Sequence, residues 1–181
     1  MFDAAGVECR KIPGRGCLNV RGDADDPVFC DAVSMAAGVE LPTEPGRWLE
    51  AGETRACWLG PDEWLLIVPD GEQARIERQL REAMRGPFSV VDVSGGFIHV
   101  NLRGEDAGHV LQKSSPYDFH PLNFPPGRCV QTVFAQAGAL VAAAEDGSFD
   151  LVFRRSYADY LARWIADAAE EHGFVARHVT D

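Results

Sequence analysis

The chain has 181 residues, 46% of them hydrophobic and 25% charged, which is typical of a soluble globular protein. The formal net charge of −11 argues against nucleic acid or an anionic membrane surface as a partner, because both need a basic patch. Five cysteines, odd in number and without metal-ligand spacing, predict reduced thiols in a cytoplasmic protein rather than a disulfide framework or a zinc site.

The first half of the chain predicts strand, helix, hairpin and helix in that order. A strand is predicted at 17–20, and Asp26 then offers an N-cap for a helix that ends near Gly38. A polar, Pro-rich connection leads to a hairpin between 54 and 68. The segment 71–85 has the apolar spacing of an amphipathic helix.

The second half repeats this order. We predict a linking strand at 88–93 that opens the second copy, then a strand at 97–102 and a helix at 105–113. Three further strands are predicted at 130–134, 139–143 and 149–153. Ser156, with Asp159 three residues later, predicts a capping box at the start of the last helix.

Short motifs recur at nearly constant spacing. Arg21-Gly22-Asp23-Ala24 is echoed by Arg103-Gly104-Glu105-Asp106-Ala107, an offset of 82, and Pro45-Gly46-Arg47 by Pro126-Gly127-Arg128, an offset of 81. We therefore predict an α+β fold of two similar β-α-β-β-α halves, which are tandem ferredoxin-like repeats. The predicted unit spans 1–181, with pseudo-repeats at about 10–86 and 87–176 that pack as one rigid body.

Several residues are candidates for contacts with a ligand or partner. Arg154, next to the last helix, predicts either an anion clamp or a surface ion pair, and we favour the ion pair. Trp48, in a polar loop, is a candidate exposed anchor for a partner protein. The five histidines never fall at i+2 or i+4 to one another, so we expect no metal site, and we interpret His172 as structural.

Asp118 is the candidate for chemistry. It lies next to Tyr117 in an aromatic-rich loop, 114–121, whose composition suits a ligand wall, and Tyr117 is a candidate partner contact. The first half has no acid at the matching position. The alternative, which we favour, is an Asp that caps a turn in its own loop.

Longer segments resemble a known family. Those that carry the likeness are Cys17-Leu18-Asn19-Val20-Arg21-Gly22-Asp23, Trp58-Leu59-Gly60-Pro61-Asp62-Glu63-Trp64-Leu65-Leu66, Phe124-Pro125-Pro126-Gly127-Arg128-Cys129 and Arg154-Arg155-Ser156-Tyr157-Ala158-Asp159-Tyr160-Leu161. Together they resemble the gamma subunit of heterotetrameric sarcosine oxidase. The stretch from Val91 through Gln112 is also similar to the folate-binding domain of aminomethyltransferases.

The resemblance implies a non-catalytic subunit of an oxidoreductase complex. Such complexes oxidise sarcosine to glycine and pass the carbon to tetrahydrofolate or release formaldehyde. FAD, FMN, NAD and zinc would belong to the alpha, beta and delta partners, and this chain would bind no cofactor. Asp118 would match an acid that assists carbon transfer to folate. The alternatives are the matching subunit of an N-methylglutamate dehydrogenase and a free-standing folate-binding module.

Overall fold

The computed structural model describes residues 6–178, which form two compact units. The central unit runs from Gly14 to Gly95, and the terminal unit combines residues 6–13 with residues 96–178. The described strands are β1 (Val7–Ile12), β2 (Arg15–Arg21), β3 (Trp48–Ala51), β4 (Thr54–Gly60), β5 (Glu63–Pro69), β6 (Ser89–Asp92), β7 (Phe97–Arg103), β8 (Cys129–Phe134), β9 (Ala137–Ala143), β10 (Phe149–Arg154) and β11 (Phe174–His178). The described helices are α1 (Pro27–Ala37), α2 (Gln73–Ala83), α3 (Ala107–Ser114) and α4 (Ala158–Ala168).

The central unit is an antiparallel sheet that carries two helices. Its strand order is β3-β4-β5-β2-β6, and within it β4-β5-β2-β6 is the order of a ferredoxin-like β-α-β-β-α-β unit. The helices α1 and α2 contact each other, and their apolar faces share one core with the sheet. Trp64 is fully buried in this core, where its Nε1 donates to the Pro42 carbonyl over 2.8 Å.

The start and end of α1 follow directly from the sequence. The side chain of Asp26 accepts a hydrogen bond from the amide of Val28 at 2.9 Å, and Pro27 occupies the first helical turn. Gly38 ends the helix with φ of 74°, a left-handed conformation that glycine adopts without steric cost. The predicted cap and stop of this helix are both confirmed.

The terminal unit has a six-stranded sheet in the order β11-β1-β7-β10-β9-β8. The strand β1 pairs antiparallel with β7 and parallel with β11, so the outer part of this sheet is built from the beginning and the end of the described chain. The helices α3 and α4 pack with the sheet on a second core that contains Leu102, Leu111 and Leu161. The four helices and two sheets confirm the predicted α+β class.

The predicted capping box of the last helix is wrong. Residues 155–157 form a turn of 3₁₀ helix, and α4 begins at Ala158 without a side-chain cap. On this helix Leu161 and Ile165 are buried, whereas Tyr160, like Tyr157 just before the helix, is exposed.

The predicted boundary between the halves also needs correction. The segment predicted to open the second copy forms β6, which pairs with β2 in the central unit. The boundary between the units therefore follows this strand, and residues 6–13 belong with the second half. No helix within residues 6–178 is long and apolar enough to cross a membrane.

Candidate functional site at the Asp118 loop

The loop that follows α3 is held to its own unit by side-chain hydroxyls. The Oγ of Ser115 lies 3.0 Å from Oγ1 of Thr132 in β8, and it also accepts a hydrogen bond from the Tyr117 amide at 3.2 Å. Ser114, the last residue of α3, is buried and accepts a hydrogen bond at 3.0 Å from Nε1 of Trp164. These bonds fix where the loop leaves the helix.

An aromatic cluster forms the floor under this loop. The ring of Tyr117 lies 5.1 Å from that of Phe119 and 5.5 Å from that of Phe124, both in tilted or edge-on geometry. Phe119 and Phe124 are almost completely buried, and Phe149 stacks on Phe124 at 6.4 Å. The aromatic residues that suggested a ligand wall therefore pack on one another, and Tyr117 keeps only part of its side chain exposed.

Asp118 is exposed, and its carboxylate is engaged by its own loop. One oxygen accepts a hydrogen bond from the His120 amide at 2.9 Å, and the other accepts one from Nδ2 of Asn123. The His120 amide bond, followed by that of Asn123, holds the pKa of Asp118 below its ordinary value despite some opposing desolvation. A general base that works near neutral pH needs a raised pKa, so this geometry favours a loop cap over a proton-transferring acid.

Arg154 lies at the end of β10 and is exposed. Its guanidinium sits over the ring of Phe97, 5.0 Å from the centroid, in a cation–π contact between paired strands. Within residues 6–178 the contact found for this guanidinium is the one with Phe97, and the surface ion pair stays a prediction. Arg154 remains a candidate for contact with a partner protein.

Trp48 is not the exposed loop residue that the sequence predicted. It begins β3, only 9% of it is exposed, and the Arg55 guanidinium covers its ring at 4.0 Å from the centroid. Arg55 is in turn held by Glu50 at 2.8 Å. The Pro- and Gly-rich residues before Trp48 predicted a loop, but Trp48 begins a short strand. The pairing of this strand with β4 buries the indole.

An open cleft of about 700 Å³ lies in the central unit, lined in part by Arg21, Asp62 and Phe88. Three of its charged side chains have partners: Arg21 pairs with Asp62 at 2.8 Å, and Asp23 accepts from the Asp25 amide at 2.9 Å. This cleft offers no convergent group for catalysis.

One cluster in the terminal unit escaped the sequence analysis. Asp106, His109 and His172 each offer a ligand atom, and these atoms all lie within 4.8 Å of one another. The Asp106–His109 pair shows the i,i+3 spacing of a helix surface, which a search for pairs of histidines alone does not detect. His172 joins it only through the fold, 66 residues after Asp106.

The fold places the chain among known architectures. An aminomethyltransferase of the glycine cleavage system from Bartonella henselae aligns with a TM-score of 0.65 and 12% identity, over 97% of this chain and 48% of that one. At this identity the likeness shows the fold alone. The α+β class with an aminomethyltransferase-like fold is thus confirmed.

Closer relatives define the family. The model of the sarcosine oxidase gamma subunit family matches residues 21–171. The sarcosine oxidase gamma subunit of Corynebacterium sp. strain P-1 is 32% identical over 93% of this chain and 82% of its own length. The one from Arthrobacter sp. is 34% identical over 77% of this chain and 69% of its own length. The chain belongs to the sarcosine oxidase gamma subunit family.

A solved structure supports this placement. A chain of the heterotetrameric sarcosine oxidase from Corynebacterium sp. U-96, solved with pyrrole 2-carboxylate, aligns with a TM-score of 0.84 and 28% identity. The alignment covers 93% of this chain and 87% of that one. The resemblance recognised from the sequence segments is confirmed.

Proposed function

We propose that this chain is a non-catalytic structural subunit of a heterotetrameric sarcosine oxidase-type complex. The observation that carries the proposal is the match to a chain of the heterotetrameric enzyme over 93% of this chain at a TM-score of 0.84. A likeness that extends over nearly the whole chain favours the same role in assembly over a shared motif alone.

The geometry of the Asp118 loop supports a role without catalysis. Its acid is bonded twice within the loop and has a lowered pKa, and the neighbouring rings of Phe119 and Phe124 fill the space beneath it. A folate-binding site would need an open apolar wall at this point. The loop therefore serves as packed structure.

The proposal assigns the chemistry to the partners. Alpha, beta and delta subunits would carry FAD, FMN, NAD and zinc, and together they would oxidise sarcosine to glycine. This chain would hold neither the flavins, nor NAD, nor the zinc of the partner subunits, and it would act in the cytoplasm, where its five thiols stay reduced. The family match favours this function over an N-methylglutamate dehydrogenase subunit or a free-standing folate module.

Co-expression tests the proposal. The untagged chain is produced with the subunits encoded beside it, one flavin-bearing subunit is tagged, and the purified material is analysed by size-exclusion chromatography and flavin absorbance. We expect the chain to co-elute in a four-subunit complex that oxidises sarcosine faster than N-methylglutamate. Omitting the chain should reduce the yield of assembled complex.

Two results would count against the proposal. If the chain elutes alone and its omission leaves assembly unchanged, it is not a structural subunit of this complex. If calorimetry of the isolated chain shows saturable tetrahydrofolate binding well below about 1 mM, which corresponds to about −4 kcal/mol, the folate-module alternative gains support. Faster oxidation of N-methylglutamate would instead move the chain to the dehydrogenase alternative.

A further inference from the structure

The cluster of Asp106, His109 and His172 has the spacing of a metal-binding site. The Oδ1 atom of Asp106 lies 3.0 Å from Nδ1 of His109 and 3.3 Å from Nδ1 of His172. Two ligands bound to one ion at metal–ligand distances of about 2.0–2.1 Å are separated by roughly 3–3.4 Å. The two imidazole rings lie face to face, with centroids 5.6 Å apart, and His109 is exposed enough to adjust its ring.

Asp106 is oriented towards the two histidines rather than towards its helix. It occupies the N-cap position of α3, where an Asp side chain ordinarily accepts a hydrogen bond from a first-turn amide. Here it makes no such bond, and its carboxylate faces the two imidazoles. This departure from the usual role leaves the carboxylate available as a ligand.

Close approach of the chain at Gly6 permits this arrangement. Gly6 bonds to both segments: its amide donates to the His172 carbonyl at 2.9 Å, and its carbonyl accepts from the Asp106 amide at 3.1 Å. A Cβ at this position would lie 2.4 Å from Oδ2 of Asp106 and 2.5 Å from the His172 carbonyl oxygen. Only glycine therefore lets Asp106 and His172 meet here.

An outer layer of charge also supports a ligand role for His172. Among residues 6–178 its buried Nε2 has no hydrogen-bond partner, and it lies 3.3 Å from Oε1 of Glu171. Lys113 donates a hydrogen bond to that Glu171 carboxylate and holds it in place. When a histidine binds a metal through one ring nitrogen, the other commonly donates to a carboxylate, and Glu171 is in place for a small shift to provide that bond.

We propose that Asp106, His109 and His172 bind a divalent first-row transition-metal ion, with Zn²⁺ as the best-suited ion. Two imidazole nitrogens and one carboxylate oxygen form a set that zinc accepts in proteins and that calcium and magnesium, which prefer oxygen, do not favour. The remaining coordination positions go to water. The ion joins the start of α3 to the segment that leads into β11, so it acts as a clip within the terminal unit. This inference is independent of the proposed function.

Isothermal calorimetry with ZnCl₂ tests the site on the full chain, produced without a polyhistidine tag and stripped with EDTA. We expect one Zn²⁺ per chain with a dissociation constant near or below about 10 μM. His109→Gln and Asp106→Asn should each weaken binding by about tenfold or more, because each removes one of three ligands. His120→Gln removes an exposed imidazole outside the cluster and should leave the affinity unchanged.

Two further measurements keep the test decisive. His109 is exposed, so His109→Gln should retain the circular dichroism spectrum even if a His172 variant fails to fold. Titration with Co²⁺ should give weak visible absorption without a thiolate charge-transfer band, because the ligands are nitrogen and oxygen. Zn²⁺ should also raise the melting temperature of the parent chain more than that of His109→Gln.

Three results would disprove zinc binding by this cluster. If Zn²⁺ shows no saturable one-to-one binding, the cluster is only a hydrogen-bonded Asp–His group and the proposal is wrong. The proposal is also wrong if Zn²⁺ binds with equal affinity to the parent, His109→Gln and Asp106→Asn, or if a cobalt–thiolate band shows that cysteines hold the ion.

Discussion

The two units have the same strand order, but one position in the order is occupied by strands from different parts of the chain. In the central unit, β6 follows α2 and pairs antiparallel with β2, which completes a ferredoxin-like sheet in chain order. In the terminal unit the corresponding position beside β7 is occupied by β1. The strand β11, which follows α4, pairs with the other edge of β1 and forms the end of the sheet. Two units with the same strand order can therefore take an outer strand from different parts of the chain.

The helix that follows the first repeat strand shows a second difference. Asp26 caps α1 through a 2.9 Å bond to the Val28 amide, whereas Asp106 stands at the matching position of α3 and leaves it without a side-chain cap. Both helices thus have an acid at the N-cap position, but the two acids make different contacts. Similar residues in a repeat need not perform the same task.

The largest effect that we expect comes from the core of the central unit. Trp64→Ala removes a fully buried indole and its hydrogen bond to the Pro42 carbonyl, so it should lower the free energy of unfolding by about 3–5 kcal/mol. Trp164→Ala in the terminal unit should cost less, about 2 kcal/mol, because that indole is only partly buried. Urea unfolding followed by far-ultraviolet circular dichroism measures both. Equal losses would show that burial does not distinguish the two sites.

The helix caps should give the next largest effect. Asp26→Ala removes the bond to the Val28 amide and should cost about 1 kcal/mol. In EDTA, Asp106→Ala should cost less, because no capping bond is lost at α3. Thermal unfolding of the two variants in the same buffer makes the comparison, and a larger loss for Asp106→Ala would contradict the different roles assigned to the two acids.

A smaller, pH-dependent effect on stability should come from Glu8 in β1, the strand of the terminal unit that comes from the other end of the described chain. Burial alone would raise the pKa of Glu8 in β1, but hydrogen bonds from Arg103, Arg10 and Arg177 outweigh it and hold the pKa below the ordinary value. The stabilisation from Glu8 is therefore complete above the unfolded-state pKa and is lost as the pH falls through the folded-state pKa.

Glu8→Gln tests this dependence. At pH 7 it should lower the melting temperature slightly, because the three guanidinium groups are partly exposed and water replaces much of the lost attraction. The difference between parent and variant should shrink as the pH falls into the acid range. A difference that stays constant down to acid pH would mean that Glu8 acts through packing and not through charge.

The smallest effect is expected at Asp118. Asp118→Ala removes two bonds within an exposed loop and should leave both the turnover of sarcosine and the transfer of its carbon to tetrahydrofolate by the assembled complex unchanged. Asn123→Ala removes one of the same bonds without changing the acid and serves as the matched control. A large loss of turnover in the Asp118 variant alone would show that the acid takes part in chemistry.

The sequence predicted those helices and strands whose start and end depend on neighbouring residues. Asp26, Pro27 and Gly38 define α1 without help from the rest of the chain. The strand β1 was not predicted, because its charged residues, Glu8, Arg10 and Lys11, hide its alternation, and its structure depends on pairing with distant strands. The linking strand was predicted, but its partner was not, because strand pairing is a property of the whole fold.

The candidate site residues also fall into those that local sequence predicted and those that depend on distant contacts. The capping role of Asp118 follows from the bonding habit of Asp in turns, so its sequence context was informative. The burial of Trp48 was missed because Arg55, which covers it, comes from the next strand. His172 lies beside Asp106 just before β11, which pairs with β1, and no spacing in the sequence shows this proximity.

The pairing of β1 with β7 also sets an order for synthesis on the ribosome. The bond from Arg103 to Glu8 spans 95 residues, and the parallel partner of β1 is later still, whereas the central unit is one continuous segment. Translation thus delivers the strands of the central sheet before β1 meets its neighbours β7 and β11. Until then, nascent β1 has exposed strand edges, and its charged residues Glu8, Arg10 and Lys11 protect it from premature association.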